Sequence, residues 1–255
     1  MPISYATIIR RALVAGFGAG VVLAAYLLVV VEPVIDEAIA LEEQLAGDGP
    51  SHEGEDALFS RGEQTAGGAV ASVVYAVVVS VVFGTIYAAV RHRLPGSTDL
   101  ARSTWLAAVA FSAIALMPAI KYPANPPAVG DPGTVNQRTI QYLILVAVSL
   151  LLAWLLTRLS AVLRHRTGDA TRIVWVAAAT VASFGVVLAV LPPTPDAIDP
   201  AVPASLVWDF RIRSIGGLAL LWAGLGLGLG WLLERAQASA GSASTEPVAA
   251  PAPAS

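Results

Sequence analysis

Six stretches without a single charged residue organise the sequence: residues 12–31, 65–90, 103–120, 139–157, 173–191 and 214–233. They are 18 to 26 residues long, and a helix needs about 20 apolar residues to cross a hydrocarbon core ~30 Å thick. Apolar positions run all round each stretch, as in helices bathed by lipid and by other helices. Neither period-two alternation nor the ~10-residue rhythm of a membrane barrel is present. The pattern therefore predicts an all-α integral membrane protein, a bundle of six transmembrane helices. The second stretch sheds its small-residue start and spans near 68–90. The first, at 20 residues, exceeds the ~7–15-residue apolar core of a signal peptide, and is read as a span.

The connections differ by side. Segment 32–64 is an acidic loop holding ten of the eighteen acids, and Val34, Ala38, Leu41 and Leu45 recur there at helical spacing. Segments 121–138 and 192–213 are rich in proline, whereas the alternate connections are short and basic. Beyond a membrane domain over 1–235, residues 236–255 are mostly Ala, Ser, Pro and Gly. They are expected to form a disordered tail. Arginine and lysine set orientation. With the N-terminus inside, ten of fifteen fall on inner segments and five outside, at Arg61, Lys121, Arg138, Arg211 and Arg213. Both termini are expected in the cytoplasm.

Composition narrows the function. The chain is 56% apolar and 13% charged, against roughly 25% charged in soluble domains. A net charge of −3 with scattered basic residues argues against nucleic-acid binding, which needs a concentrated basic face. Without cysteine, thiolate sites and disulfides are excluded. No Gly-x-Ser-x-Gly or His-Glu-x-x-His occurs, so no enzyme is expected. Charge-free spans also lack the side chains of a proton relay.

Three groups of residues could carry function. His52, Glu53, Glu55 and Asp56 place imidazole among carboxylates, a donor set for a weak, hydrated transition-metal site. A solvated loop is the plainer reading. A second group lies at the outer ends of the spans: Glu32, Lys121, Tyr122, Asn125, Asp131, Arg138, Asp209, Arg211 and Arg213. Pro118 should kink the third span, and cations at membrane depth usually pair. One outer polar cluster is expected, its cations paired with Glu32, Asp131, Asp209 or loop carbonyls; separate interfacial anchors are the alternative. Third, Gly16/Gly20, Gly224/Gly228 and Gly226/Gly230 form G-x-x-x-G faces for close helix packing. Arg91-His92-Arg93 and Arg164-His165-Arg166, 73 positions apart, hint at duplicated hairpins.

The string Lys121-Tyr122-Pro123-Ala124-Asn125-Pro126-Pro127-Ala128-Val129-Gly130-Asp131-Pro132, with Arg138, Trp208-Asp209-Phe210-Arg211 and Glu32-Pro33, resembles the CbtA family of cobalt transporter subunits. The resemblance runs from the first span to the sixth. It implies a multi-pass protein of the bacterial inner membrane linked to cobalt uptake for cobalamin. It also implies a small single-span, histidine-bearing CbtB-like partner. Many relatives are richer in histidine in the first outer loop, whereas this chain has His52 alone there, which weakens direct capture of metal. The expected function is a subunit of a divalent transition-metal (cobalt) transport system, with cobalt as a transported ion and no tightly bound cofactor. The alternative is a non-transporting membrane scaffold or assembly partner.

Overall fold

The computed structural model describes residues 3–46, 59–127, 129–195 and 197–243. Eight α-helices build six rods: α1 (Tyr5–Tyr26) running into α2 (Glu32–Ala46), α3 (Arg61–Val90), α4 (Asp99–Phe111) running into α5 (Met117–Lys121), α6 (Val135–Arg164), α7 (Asp169–Val190) and α8 (Ala204–Ala243). Each rod is long and apolar enough to cross a membrane. Large apolar side chains such as Val29, Val181 and Val190 remain exposed on the outside. That is the surface a lipid-facing helix presents.

Helix starts follow local chemistry. The Ser60 hydroxyl accepts from the Glu63 N–H while the Glu63 carboxylate accepts from the Ser60 N–H, a reciprocal cap that opens α3. Thr98 caps α4 by accepting from Ala101. Between them Gly96 takes φ +116°, a conformation glycine adopts without a Cβ penalty.

Two rods carry a widened turn at the same register relative to a proline. Leu27–Val31 and Ser112–Leu116 are π-helical, and Pro33 and Pro118 follow two residues later. The cause is shared. Proline lacks an N–H, and its ring collides with the carbonyl four residues back. The chain accommodates this by shifting to i→i+5 bonds, Glu32 N–H to Leu27 and Met117 N–H to Ser112. The kink expected at Pro118 thus takes the form of a π turn.

Packing centres on α8, which lies between α1 and α4, while α3 packs on the far side of α1. Glycine makes this possible. A Cβ on Gly224 would stand 2.8 Å from the Ala19 Cβ, and one on Gly228 3.1 Å from the Ala15 Cβ. On the opposite face a Cβ on Gly226 would stand 2.6 Å from the Ala107 Cβ, and one on Gly230 would overlap the Leu100 Cα. The two overlapping G-x-x-x-G faces therefore serve two different neighbours. Gly16 and Gly20 do the same for α3, against Ser80 and Val73. Without a hydrophobic force between helices in lipid, such close backbone contact supplies the dispersion energy that holds them.

Outside this quartet α6 and α7 form a hairpin that meets the core through α5 and the π turn Ser112–Leu116. α6 and α7 pack directly on each other, but α3 and α4 barely touch. The two Arg-His-Arg hairpins are therefore arranged differently. At the far terminus α8 continues to Ala243, so residues 236–243 are helical rather than part of a disordered tail. Gln237, bonded into the core, anchors that extension.

Candidate functional site

The rods alternate in direction, so polar residues gather at two ends. At the end carrying Lys121, proline again determines the contacts. The Leu188 carbonyl lies in the last turn of α7, where helix carbonyls lack an internal donor, and Pro192, four residues on, has no N–H to offer it. The Lys121 ammonium takes that carbonyl at 2.8 Å, tying the end of the third rod to α7. Tyr122 reinforces the tie, its hydroxyl donating to the Pro192 carbonyl at 2.9 Å. Arg211 donates to the Ala124 carbonyl at 3.1 Å and to the Asn125 side-chain oxygen at 2.8 Å. The loop after α5 is thereby fastened to α8. Arg213 donates to the Val30 carbonyl, within the first π turn, at 2.9 Å.

Of the two kinds of partner expected, carboxylates or loop carbonyls, it is carbonyl oxygens that meet Lys121, Arg211 and Arg213. Arg213 reaches Asp209 only at 3.5 Å, beyond the usual 2.7–3.2 Å. Glu32 is turned to a different cation: it accepts from Arg61 at 2.6 Å and from Thr65 at 2.6 Å. Arg61 also pairs with Asp36 at 2.9 Å, which locks α2 onto the start of α3. Asp131 accepts from the Gly133 N–H at 2.8 Å and shapes the turn into α6, whose first turn bears Arg138. His52, Glu53, Glu55 and Asp56 lie outside the described residues. Among the described residues no group of three or more His, Asp or Glu could hold a metal ion.

The opposite end holds a network that the sequence reading missed. Asp99 is 4% exposed. One Arg91 nitrogen donates to both its oxygens at 3.0 Å. Tyr87 donates to one oxygen and Gln237 to the other, the latter at 2.6 Å. Glu234 accepts the Leu100 N–H at 2.9 Å, satisfying a donor that a helix start leaves unpaired. Residues from α3, α4 and α8 therefore meet on one carboxylate. The available signal was the scarcity of acids at an arginine-rich end, where Asp99 and Glu234 stand out.

Between the third rod and the α6–α7 hairpin lies a groove of about 730 Å³. Trp105 to Met117, Ser149 to Ser160 and Arg172 to Phe184 bound it. Each of these segments spans about 18 Å at 1.5 Å per residue. Ser112, Ser149, Thr157, Ser160, Thr180 and Ser183 bring hydroxyls to a largely apolar lining, and Arg172, paired with Asp169 at 3.0 Å, is its one charged residue.

The family model described as CbtA, a probable cobalt transporter subunit, matches residues 5–234. The chain belongs to the CbtA family. No curated protein and no solved structure matches it. The matched region begins at the first residue of α1 and ends at Glu234. It thus covers all six rods, the groove, the Lys121 end and both carboxylates of the buried network. The CbtA-family chain is accordingly a multi-pass membrane protein and a subunit of a cobalt transport system.

The Asp99 network generates a stability test. Removing one partner strands a buried charge, at a cost of about 3–5 kcal/mol, whereas removing both with apolar replacements costs far less. Asp99→Leu alone and Arg91→Leu alone should each strongly lower the unfolding midpoint of the detergent-solubilised protein, and the double variant should recover most of it. Strictly additive losses would show that the two side chains act independently.

Proposed function

We propose that this subunit carries the membrane passage for cobalt, working with a small single-span CbtB-like partner, and that its two termini face the cytoplasm. The observation that carries the reading is the family match over all six rods. The proline-broken backbone supports it, because non-helical carbonyls at membrane depth occur where they line a cavity or a pathway. The ion is the substrate here. Acidic segment 32–64 would raise the local cation concentration at the outer face, with His52, Glu53, Glu55 and Asp56 as its densest part. No chemical conversion is assigned to the chain. The scaffold reading draws on the lack of a metal-ligand cluster among the described residues and on the glycine packing faces. It differs in one outcome: a scaffold would tolerate loss of any side chain that leaves assembly intact.

Two measurements test this. Cells carrying the transport system should accumulate cobalt, and those with Lys121→Ala should accumulate several-fold less while holding equal amounts of the chain in the membrane. Equal accumulation with and without the chain would refute the transport reading. Orientation is tested separately, since the native chain has no cysteine. Cysteines placed at Ser51 and Ser205 should react with an impermeant thiol reagent in intact cells, and one at Ser244 should not. The reverse pattern would invert the topology.

A further inference from the structure

Residues Gln141, Leu145 and Ser149 follow one another at four-residue spacing and make up the buried face of α6. This face meets α5 and the π turn Ser112–Leu116. Leu145, 0% exposed, packs with Met117 and Val187. The two polar residues flank it, Gln141 at 9% and Ser149 at 5% exposed. Neither the Gln141 side-chain oxygen nor the Ser149 hydroxyl has a hydrogen-bond partner among the described residues. A buried polar atom left unpaired costs about 1–3 kcal/mol. Two of them, one turn to either side of an apolar contact, call for a ligand.

The facing backbone is short of donors as well. Pro118 gives no N–H to the Ile114 carbonyl, which accepts instead from the Tyr142 hydroxyl at 3.3 Å. The Met117 N–H that Ala113 would normally use is spent on Ser112, and the next N–H position is Pro118 itself. Ala113, with its carbonyl released, lines the groove together with Ser112 and Ser149. On all three bounding segments the groove stops where the Met117–Leu145–Val187 cluster begins, for Met117, Leu152 and Phe184 belong to both. The groove is therefore a vestibule that meets an apolar stopper at this end. Beyond the stopper, Lys121 holds the Leu188 carbonyl, next to Val187.

We propose that the cation route runs through this vestibule, that Met117, Leu145 and Val187 form its hydrophobic gate, and that Gln141, Ser149 and the carbonyls released by Pro118 receive a hydrated divalent cation on either side of that gate. The proposal rests on the transport reading above and names its pathway. An ion with about six waters needs roughly 200 Å³ at ~30 Å³ per water, well within the groove. Neutral oxygens suit a cation that keeps its water, since carbonyl, amide and hydroxyl oxygens accept hydrogen bonds from those waters. An apolar constriction closes such a path by excluding water until the helices part. An acyl chain is the competing occupant, but it would leave the Ser149 hydroxyl and the Ala113 carbonyl unsatisfied in hydrocarbon.

The test combines accessibility with flux. In open membrane fragments containing the full chain, a single cysteine replacing Ser149 should react with a small, charged thiol reagent, because only a hydrated thiol forms thiolate. Added cobalt should slow that reaction. A cysteine replacing Leu151, on the exposed side of the same helix, should stay inert. Equal inertness at both positions would mean a lipid-filled groove and would overturn the proposal. In cells, Gln141→Met and Ser149→Ala should each slow cobalt uptake about tenfold, equivalent to ~1.4 kcal/mol of barrier, at unchanged membrane levels. If wild-type cells take up cobalt and both variants match them, the gate is wrong and the transport reading stands. If wild-type cells take up none, the transport reading falls and the proposal with it, even where Ser149→Cys is labelled.

Discussion

Missing donors shape this protein. A helix in lipid must satisfy every backbone carbonyl internally, and proline makes that impossible for the carbonyl four residues before it. Pro33 and Pro118 do this inside the first and third rods, and Pro192 lies just past the end of α7. Side chains then occupy carbonyls near each of these prolines. The Ile114 carbonyl takes the Tyr142 hydroxyl and the Leu188 carbonyl takes Lys121, while Arg213 reaches the Val30 carbonyl within the first π turn. Cations that would otherwise need buried carboxylates are thereby held by dipoles. Neutral partners avoid the desolvation of a second ion, the expensive part of a buried pair.

The other end is built on the opposite principle. One carboxylate, Asp99, gathers donors from α3 and α8 onto the start of α4 and is almost closed to solvent. Together with the two-faced glycine helix α8, this fixes α1, α3, α4 and α8 as a tight unit. The α6–α7 hairpin is attached differently, through the π turn and α5, with a groove left between it and α4. A firm quartet and a hairpin joined at a broken helix are the parts that alternating access requires, one body rocking against another around a fixed site.

How much of this the sequence revealed depended on the range of each signal. The spans were legible because twenty apolar residues without charge admit few other readings. Gly16, Gly20, Gly224, Gly226, Gly228 and Gly230 were legible as packing positions, since small residues at four-residue spacing have a local meaning. Which face meets which helix was not, and α8 proved to serve two. The Asp99 network was hidden by distance: Gln237 lies 138 residues away, and Arg91, Asp99 and Gln237 flank the hydrophobic stretches instead of lying inside them. Loop carbonyls were among the partners expected for the outer cations, but which carbonyls was not legible: Lys121 takes that of Leu188 in the last turn of α7, and Arg213 that of Val30 within the first π turn. The shared offset of Pro33 and Pro118 from their π turns needed the backbone to be seen. Residues 236–243 were misread because Ala and Ser composition suggests disorder, whereas a helix already anchored by Gln237 simply continues.

The central claim is that the break in the third rod exists for passage of the ion and not for packing. Pro118→Ala tests it most directly, because alanine restores the N–H that the Ile114 carbonyl lacks and removes the ring that clashes with it. Removing a mid-helix proline should leave the thermal unfolding midpoint of the solubilised protein unchanged or raised. The account expects cobalt uptake by cells carrying this variant to fall severely even so. Uptake at the wild-type rate with a regular helix in place would contradict it.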